Sequence, residues 1–572
     1  VGYCQGWQQP VLVSTNLPST SPKIPMNIFS THSRRAFFWA AACLALGQQA
    51  AAQAPAIQWN KGFGGTADDR LTMVQPTTDG GYVLGGYSPS GISGSKTQAS
   101  YGGIDYWVVK IDATGTKQWD KTFGGTGEDR LTSLQQTTDG GYIIGGQSNS
   151  GVSGSKTQGS RGGFDVWVLK LDATGTKVWD RSFGSNTDER LATVRQTTDG
   201  GYALGAQTDT GINGDRSQAG QGSLDYWLVK LDSTGTKTWD RSLGGSSNDI
   251  LNAVRPTSDG GYILGGFSYS GASGDKSQGT RGSSDYDFWV VKVDSAGTKQ
   301  WDSTLGGTGF DNLTSVQPAN DGGYLVGGFS NSPISGEKTQ GARGDYDNWI
   351  VKLGPTGTKQ WDYTFGGDGY DSLNGLQQTV DNGYIFGSQS NSSISGDKTQ
   401  ANMGPANTPD YWVVKVDSMG VKQWDGTYGG SQDEVLTSLS QTTDGGFVLG
   451  GFSSSGISGT KTQVSQGSFD FWVVKLGPVV AGTAAAANRA PFTLYPNPTR
   501  QIFTLQLPEQ APRIGLRLQL LDATGRIVWQ QASATSANTT LMVSPNQQPA
   551  GLYLVRLQGP NGYSQTQRLV IE

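Results

Sequence analysis

Between residues 57 and 476 apolar and polar positions alternate in short runs, broken by clusters of Asp, Gly, Ser and Thr. One stretch shows the pattern: residues 131–137, 142–148, 166–171 and 176–183 are rich in aromatic and β-branched side chains. Each such run predicts a strand. Asp139-Gly140-Gly141 joins the first pair and Asp172-Ala173-Thr174-Gly175 the last pair. Asp-Gly and Gly-Gly steps tolerate the positive φ of tight turns, so both pairs read as hairpins. The connection between the second and third runs is long. The unit predicted is a four-stranded antiparallel sheet.

That unit recurs. A Trp followed by Asp or Asn stands at Trp59, Trp119, Trp179, Trp239, Trp301, Trp361 and Trp424, at spacings of 60 to 63 residues. A unit that cannot bury its own apolar face must stack on copies of itself, so the period implies a repeat architecture. The ends of the periodic region are staggered: it opens at Ile57-Gln58-Trp59, a fourth strand, and closes at Asp470–Leu476, a third strand. If the N-terminal strand completes the last sheet, two exposed sheet edges disappear. The expected fold is all-β: a seven-bladed β-propeller over 57–476, closed by its N-terminal strand.

Composition narrows the chemistry. The 86 Gly residues fall in period with the repeat, which suits turns rather than disorder. Net charge is -5 with no basic run, so nucleic acid is not an expected partner, although seven spaced Lys leave an acidic polymer open. Both cysteines, Cys4 and Cys43, and the single histidine, His32, precede the repeats. The repeats therefore lack the residues for thiol or Ser-His-Asp catalysis, disulfides, or Cys/His zinc sites.

The ends differ from the middle. Residues 1–25 read as a leader without pattern, and 26–52 as a signal peptide: Arg34-Arg35, an apolar run from Ala36 to Leu46, then small residues to Ala52. No membrane span is expected in the mature chain. Residues 477–490 read as an Ala/Gly/Val linker. In 491–572 come Tyr495-Pro496-Asn497-Pro498, then Asp522 with Gly525-Arg526, then Gly551 and Tyr553, set among alternating apolar runs that predict a small β-sandwich. In order and terminal placement these motifs resemble the type A C-terminal sorting domain of the Bacteroidetes type IX secretion system. The resemblance implies export, recognition by the outer-membrane machinery, and removal of the domain with release or attachment at the cell surface. It says nothing of the cargo's chemistry.

Within the propeller the long second-to-third loops share one face with the connections between blades, and that face is the candidate binding surface. Each long loop carries a basic residue, Ser or Thr, and Gln, as in Lys96-Thr97-Gln98. Repeated acids precede the first strands (Asp69, Asp129 and counterparts) and the third strands (Asp105, Asp165 and counterparts). Sevenfold repetition favours scaffold roles for all of these: Thr and Gln satisfying the loop's own backbone, with Lys solvated. The breaks in the repeat are the better functional candidates. Asp285-Tyr286-Asp287 and Asp345-Tyr346-Asp347 occur in the fourth and fifth repeats, with Phe310 and Tyr370 in adjacent connections. Acids with aromatics suit a sugar platform or a weak Ca2+ site; no other cofactor is expected. The expected function is non-catalytic binding of glycans or proteins through the long-loop face. The alternatives are a carbohydrate-active enzyme, using carboxylates or Tyr with Lys, and a structural adhesion component.

Overall fold

The computed structural model describes residues 53–209, 211–282, 285–478, 492–500, 502–507, 516–522, 527–533, 540–544, 548–558 and 564–572. The expected leader, signal peptide and most of the linker lie outside the described residues, as do Gly525 and Arg526. No helix among the described residues is long and apolar enough to cross a membrane.

Residues 57–476 form seven four-stranded antiparallel sheets. In six of them the strands follow chain order. The first comprises Arg70–Pro76, Tyr82–Ser88, Asp105–Ile111 and Lys117–Phe123. The seventh takes three strands from the C-terminal end and its fourth, Ile57–Phe63, from the N-terminal end. That strand pairs antiparallel with Asp470–Leu476, Ile57 opposite Leu476 and Phe63 opposite Phe471. The first blade then packs on the seventh: Leu71, Val74 and Trp107 share one core with Val448, Phe471 and Val473. The ring is closed.

Glycines in the second strands let neighbouring blades approach, one in every blade and a second in five of the seven. A Cβ on Gly85 would lie 2.9 Å from Leu134 Cδ1 of the following blade. A Cβ on Gly86 would lie 2.7 Å from Phe471 Cζ of the preceding blade and 2.1 Å from Arg70 O. The second position tracks its neighbour. Gly146, Gly266 and Gly328 follow blades presenting Tyr106, Tyr226 and Phe288, whereas Ala206 follows Val166 and Ser388 follows Asn348. Asn348 Nδ2 donates to Ser388 Oγ at 3.2 Å. Close packing thus sets residue size across the blade interface.

The turns are pinned by side chains. Asp79 Oδ1 accepts the Gly81 N–H at 3.0 Å, Gly80 has φ +82°, and Lys110 Nζ reaches Asp79 at 2.8 Å. Six further lysines, Lys170 to Lys475, repeat that bridge at 2.8 to 2.9 Å. Burial pushes Asp79 up, but Lys110, Thr77 and the Gly81 N–H outweigh it and hold the carboxyl at about 2.

The C-terminal residues form a three-stranded sheet (Thr493–Tyr495, Phe503–Gln506, Thr540–Val543) and a four-stranded one (Ile527–Ser533, Leu516–Leu521, Gly551–Gln558, Ser564–Ile571). Phe503 and Leu505 of the first join Leu518, Val555 and Leu569 of the second in a single core.

Candidate functional site

The long loops lie beside the connections between blades, as Ser155 N–H donating to Gly124 O at 2.9 Å shows. The basic residues in them are not solvated, contrary to the sequence expectation. Lys96 is 1% exposed, and Lys156, Arg216, Lys276, Lys338, Lys398 and Lys461 are buried alike. Lys96 Nζ donates to Thr122 Oγ1 at 2.6 Å and lies 5.5 Å from the Trp107 ring. Burial lowers the Lys96 ammonium to about 8, against the pull of Asp69, Asp105 and Asp120. These six lysines and one arginine are enclosed and do not form an exposed ring for an acidic polymer. Thr97 and Gln98 also depart from expectation: they grip the fourth strand rather than their own loop. Thr97 N–H and Oγ1 donate to Asp120 at 2.9 and 2.8 Å, and Gln98 Oε1 accepts Thr122 N–H at 2.9 Å.

The repeated acids complete this framework. Asp69, Asp105 and Asp129 are fully buried. Asp69 Oδ2 accepts Gly65 N–H at 2.6 Å and Ser90 Oγ–H at 3.1 Å. Asp105 and Asp129 converge on Gly124, whose absent Cβ would sit 1.8 Å from Asp105 Oδ1 and 2.9 Å from Asp129 Oδ2. Burial, reinforced by the Asp129 charge against the Tyr101 N–H, raises Asp105 to about 7. Carboxylates of successive blades therefore meet in pairs, with a buried cation near each pair.

The residues that break the repeat are brought together. Tyr286 packs against Phe267 at 4.7 Å, Tyr269 at 4.9 Å and Phe310 at 5.0 Å between ring centroids. One blade further on, Tyr346 lies 5.6 Å from Phe329 and 5.5 Å from Tyr370. Backbone bonds set the pairs: Asp311 N–H donates to Tyr286 O at 2.8 Å and Asp371 N–H to Tyr346 O at 2.7 Å. Burial raises the Tyr286 hydroxyl to about 12, with Tyr346 and Tyr269 adding to it. Tyr269 is 40% exposed and the other rings are half-buried.

Phe267, Tyr269 and Phe329 were not singled out from sequence. Tyr269 could have been, because it occupies the place of Pro89, Asn149 and Asn331 in other repeats. In the first three blades the matching positions hold ion pairs, Arg70–Asp68 and Arg130–Glu128 at 3.0 Å and Arg190–Asp188 at 3.6 Å. Phe310 and Tyr370 stand where those acids stand, and Asn312 and Ser372 where the arginines stand. These positions thus hold ion pairs in the first three blades, with Arg70 lying over Phe452 and Phe469, and aromatic rings in the fifth and sixth.

The acids of the two Asp-Tyr-Asp segments separate. Asp287 and Asp347 are buried, and their Oδ2 atoms accept the N–H groups of Arg281 and Arg343 at 2.6 Å. They belong to the framework. Asp345 is exposed and Asp285 half-buried. No group of three or more His, Cys, Asp or Glu that could hold a metal occurs among the described residues. A repeated feature also proves to be surface: Ile92, Val152, Ile212, Ile334, Ile394 and Ile457, each in a long loop, are 63 to 72% exposed.

In the C-terminal domain, Asn497 ties the Tyr-Pro-Asn-Pro turn to the last strand. Its Nδ2 donates to Arg568 O at 2.7 Å and its Oδ1 accepts Val570 N–H at 2.9 Å. Tyr495 is 46% exposed beside it. Tyr553 Oη donates to Pro549 O at 2.8 Å, Gly551 opens its strand opposite Ile571, and Asp522 follows Leu521 at a strand end. Pro496, Pro498, Thr499, Arg500, Ile502 and Glu572 line a shallow surface groove.

Residues 493–572 match the secretion system C-terminal sorting domain. The chain is 26% identical over 268 residues to the regulatory protein FlaEY of Caulobacter vibrioides, a match covering 44% of this chain and 28% of that protein. Among solved structures, Sqt1 of Chaetomium thermophilum aligns with 73% of this chain and 100% of its own at 12% identity, with a TM-score of 0.36. The Pan2 WD40 domain of Neurospora crassa aligns with 72% of this chain and 89% of its own at 10% identity, with a TM-score of 0.36. The sorting domain implies handling by the type IX machinery and export to the cell surface or the extracellular space. The chain is accordingly a secreted seven-bladed β-propeller carrying a type IX secretion C-terminal sorting domain.

Proposed function

We propose that this propeller is a non-catalytic binding protein that holds carbohydrate on its long-loop face. The observation that carries the reading is the arc of rings around Tyr286 and Tyr346, which breaks a repeat otherwise kept for the scaffold. Sugar rings present C–H faces that pack on aromatic side chains and hydroxyls that reach nearby polar groups. Tyr hydroxyls and the exposed Asp345 carboxylate supply those polar groups beside the rings. The repeated carboxylate pairs do not favour hydrolysis, because Asp105, Asp129 and most of their counterparts are fully enclosed. A glycosidase needs its two carboxyls open to the sugar.

A glycan array probed with the secreted protein tests this. Tyr269→Ala, at an exposed ring, should weaken any bound glycan by about tenfold or more, as loss of an aromatic anchor does. Unchanged binding by that variant and by Tyr346→Ala would refute the arc as the site. Release of sugar products from a bound polysaccharide would refute the non-catalytic reading.

A further inference from the structure

The first strands of neighbouring blades lie side by side around the centre of the ring, and one register of these strands breaks the repeat. In four blades the penultimate residue of the first strand is Gln75, Gln135, Gln317 or Gln377. In the other three it is Arg195, Arg255 or Ser440. The glutamines have a structural task. Oε1 of Gln75, Gln135 and Gln377 accepts the backbone N–H of Gln136, Gln196 and Gln441 in the next blade, each at 2.8 Å. Arg195, Arg255 and Ser440 precede blades whose first strand ends in Pro256, Pro318 and Pro76. Proline offers no N–H. The scaffold therefore has no use for glutamine at those three places, and Ser440 shows that a small neutral residue suffices.

Two adjacent blades instead place guanidinium groups there. Arg195 Nη1 donates to Val194 O at 3.1 Å and Leu134 O at 3.3 Å, and Arg255 Nη1 donates to Val254 O at 3.0 Å. Among the described residues neither has a carboxylate partner or an aromatic ring beneath it. The contrast with Arg70, Arg130, Arg281 and Arg343, each paired to an acid, is complete. Both side chains are part-buried, with blades on either side of them. Burial, with the Arg255 charge adding to it, holds Arg195 well below the usual guanidinium range, and burial lowers Arg255 to about 10. Like charges set together in confined surroundings repel, and an anion between them removes the repulsion. Among the described residues Nε and Nη2 of each group have no hydrogen-bond acceptor, and they lie in the planar fork that matches a carboxylate, sulfate or phosphate.

We propose that Arg195 and Arg255 form an oxyanion-binding site in the central channel, near the mouth formed by the short hairpin turns. The site is independent of the aromatic arc, which occupies the long-loop face. Its ligand chemistry is a carboxylate, sulfate or phosphate group, whether on a free inorganic ion or on an acidic sugar.

The test is calorimetric titration of the secreted protein with sodium sulfate and with sodium glucuronate, against sodium chloride at matched ionic strength and against glucose. Arg195→Gln/Arg255→Gln is the variant, since glutamine already occupies this register in four blades. The wild type should bind at least one oxyanion and not glucose, and the double variant should bind it at least tenfold more weakly while melting no earlier in chloride. Sulfate binding alone would assign the site to inorganic anions, and glucuronate binding would extend it to acidic sugars. No oxyanion binding by the wild type, or equal binding by the double variant, overturns the proposal. Should the variant melt early, Arg195→Lys/Arg255→Lys keeps the charge without the planar fork and should still bind oxyanion more tightly than chloride; failure to do so overturns the proposal as well.

Discussion

The seam that closes the ring makes a quantitative prediction. In six blades the fourth strand carries Lys and Asp three residues apart, as in Lys117 and Asp120, whose Nζ and Oδ1 lie 2.8 Å apart. The Asp also accepts the buried Trp indole N–H, at 3.1 Å for Trp107, and the lysine donates to a long-loop carbonyl, Ser95 O. At the seam both residues change together, to Ile57 and Asn60. The amide does the work of the pair. Asn60 Oδ1 accepts Thr462 N–H at 3.2 Å and Trp472 Nε1–H at 3.4 Å, while its Nδ2 donates to Thr460 O at 3.1 Å, the carbonyl that would otherwise face the lysine. Asn60→Asp alone removes that donor and leaves a carboxylate at a site 6% exposed without its cation. The cost should be about 1–3 kcal/mol. Ile57→Lys alone gives up part of the apolar contact Ile57 makes with the Trp424 core, about 1 kcal/mol. Together they rebuild the arrangement of the other six blades, in which the Asp side chains are 1 to 3% and the Lys side chains 20 to 28% exposed. Discounted for the part-exposed lysine, the coupling between the two substitutions should be favourable by about 1–2 kcal/mol. Urea unfolding of the four proteins, followed by Trp fluorescence, measures it. A coupling within about 0.5 kcal/mol of zero would refute the account, because independent sites add to that accuracy.

Two further outcomes can be checked on the same protein. Burial raises Asp105, Asp287 and Asp410 to about 7 and Asp165, Asp225, Asp347 and Asp470 to about 6, so the folded state keeps protons that the unfolded chain has lost above about pH 4. Their contribution is full below about pH 4 and is lost as pH rises through 6 to 7; Asp79, Asp139 and Asp199, held at about 2 by lysine despite burial, contribute above about pH 4 and lose it toward pH 2. The melting temperature should therefore fall between about pH 5 and pH 8, and a rise across that interval would contradict the assignment. Gly86→Ala should lower stability by about 1–3 kcal/mol, because its Cβ would press on Phe471 and on Arg70 O; an unchanged denaturation midpoint would show that the interface yields.

Much of the fold is legible in the chain itself. Strand runs, Asp-Gly turns and the staggered ends Ile57 and Leu476 express local hydrogen bonding and the need to cover sheet edges, and both leave periodic marks in a chain. The aromatic breaks at Tyr286, Phe310, Tyr346 and Tyr370 were equally visible, because a regular repeat exposes its exceptions. Lys96 shows where local reading stops. A lysine in a polar loop is expected in water, and only the meeting of the loop with Thr122 and Trp107 on later strands makes burial tolerable. Burial likewise separates Asp287 and Asp347 from the aromatic surface, although Tyr286 and Tyr346 are their immediate neighbours.

The number of blades, the closing strand and the sorting domain are legible in the chain, since each rests on patterns within or between adjacent segments. What the exceptions face is set by the folded ring. Arg195 and Pro256 lie 61 positions apart, and their correspondence gains meaning once closure sets consecutive first strands side by side, where a missing N–H on one strand frees a side chain on the next.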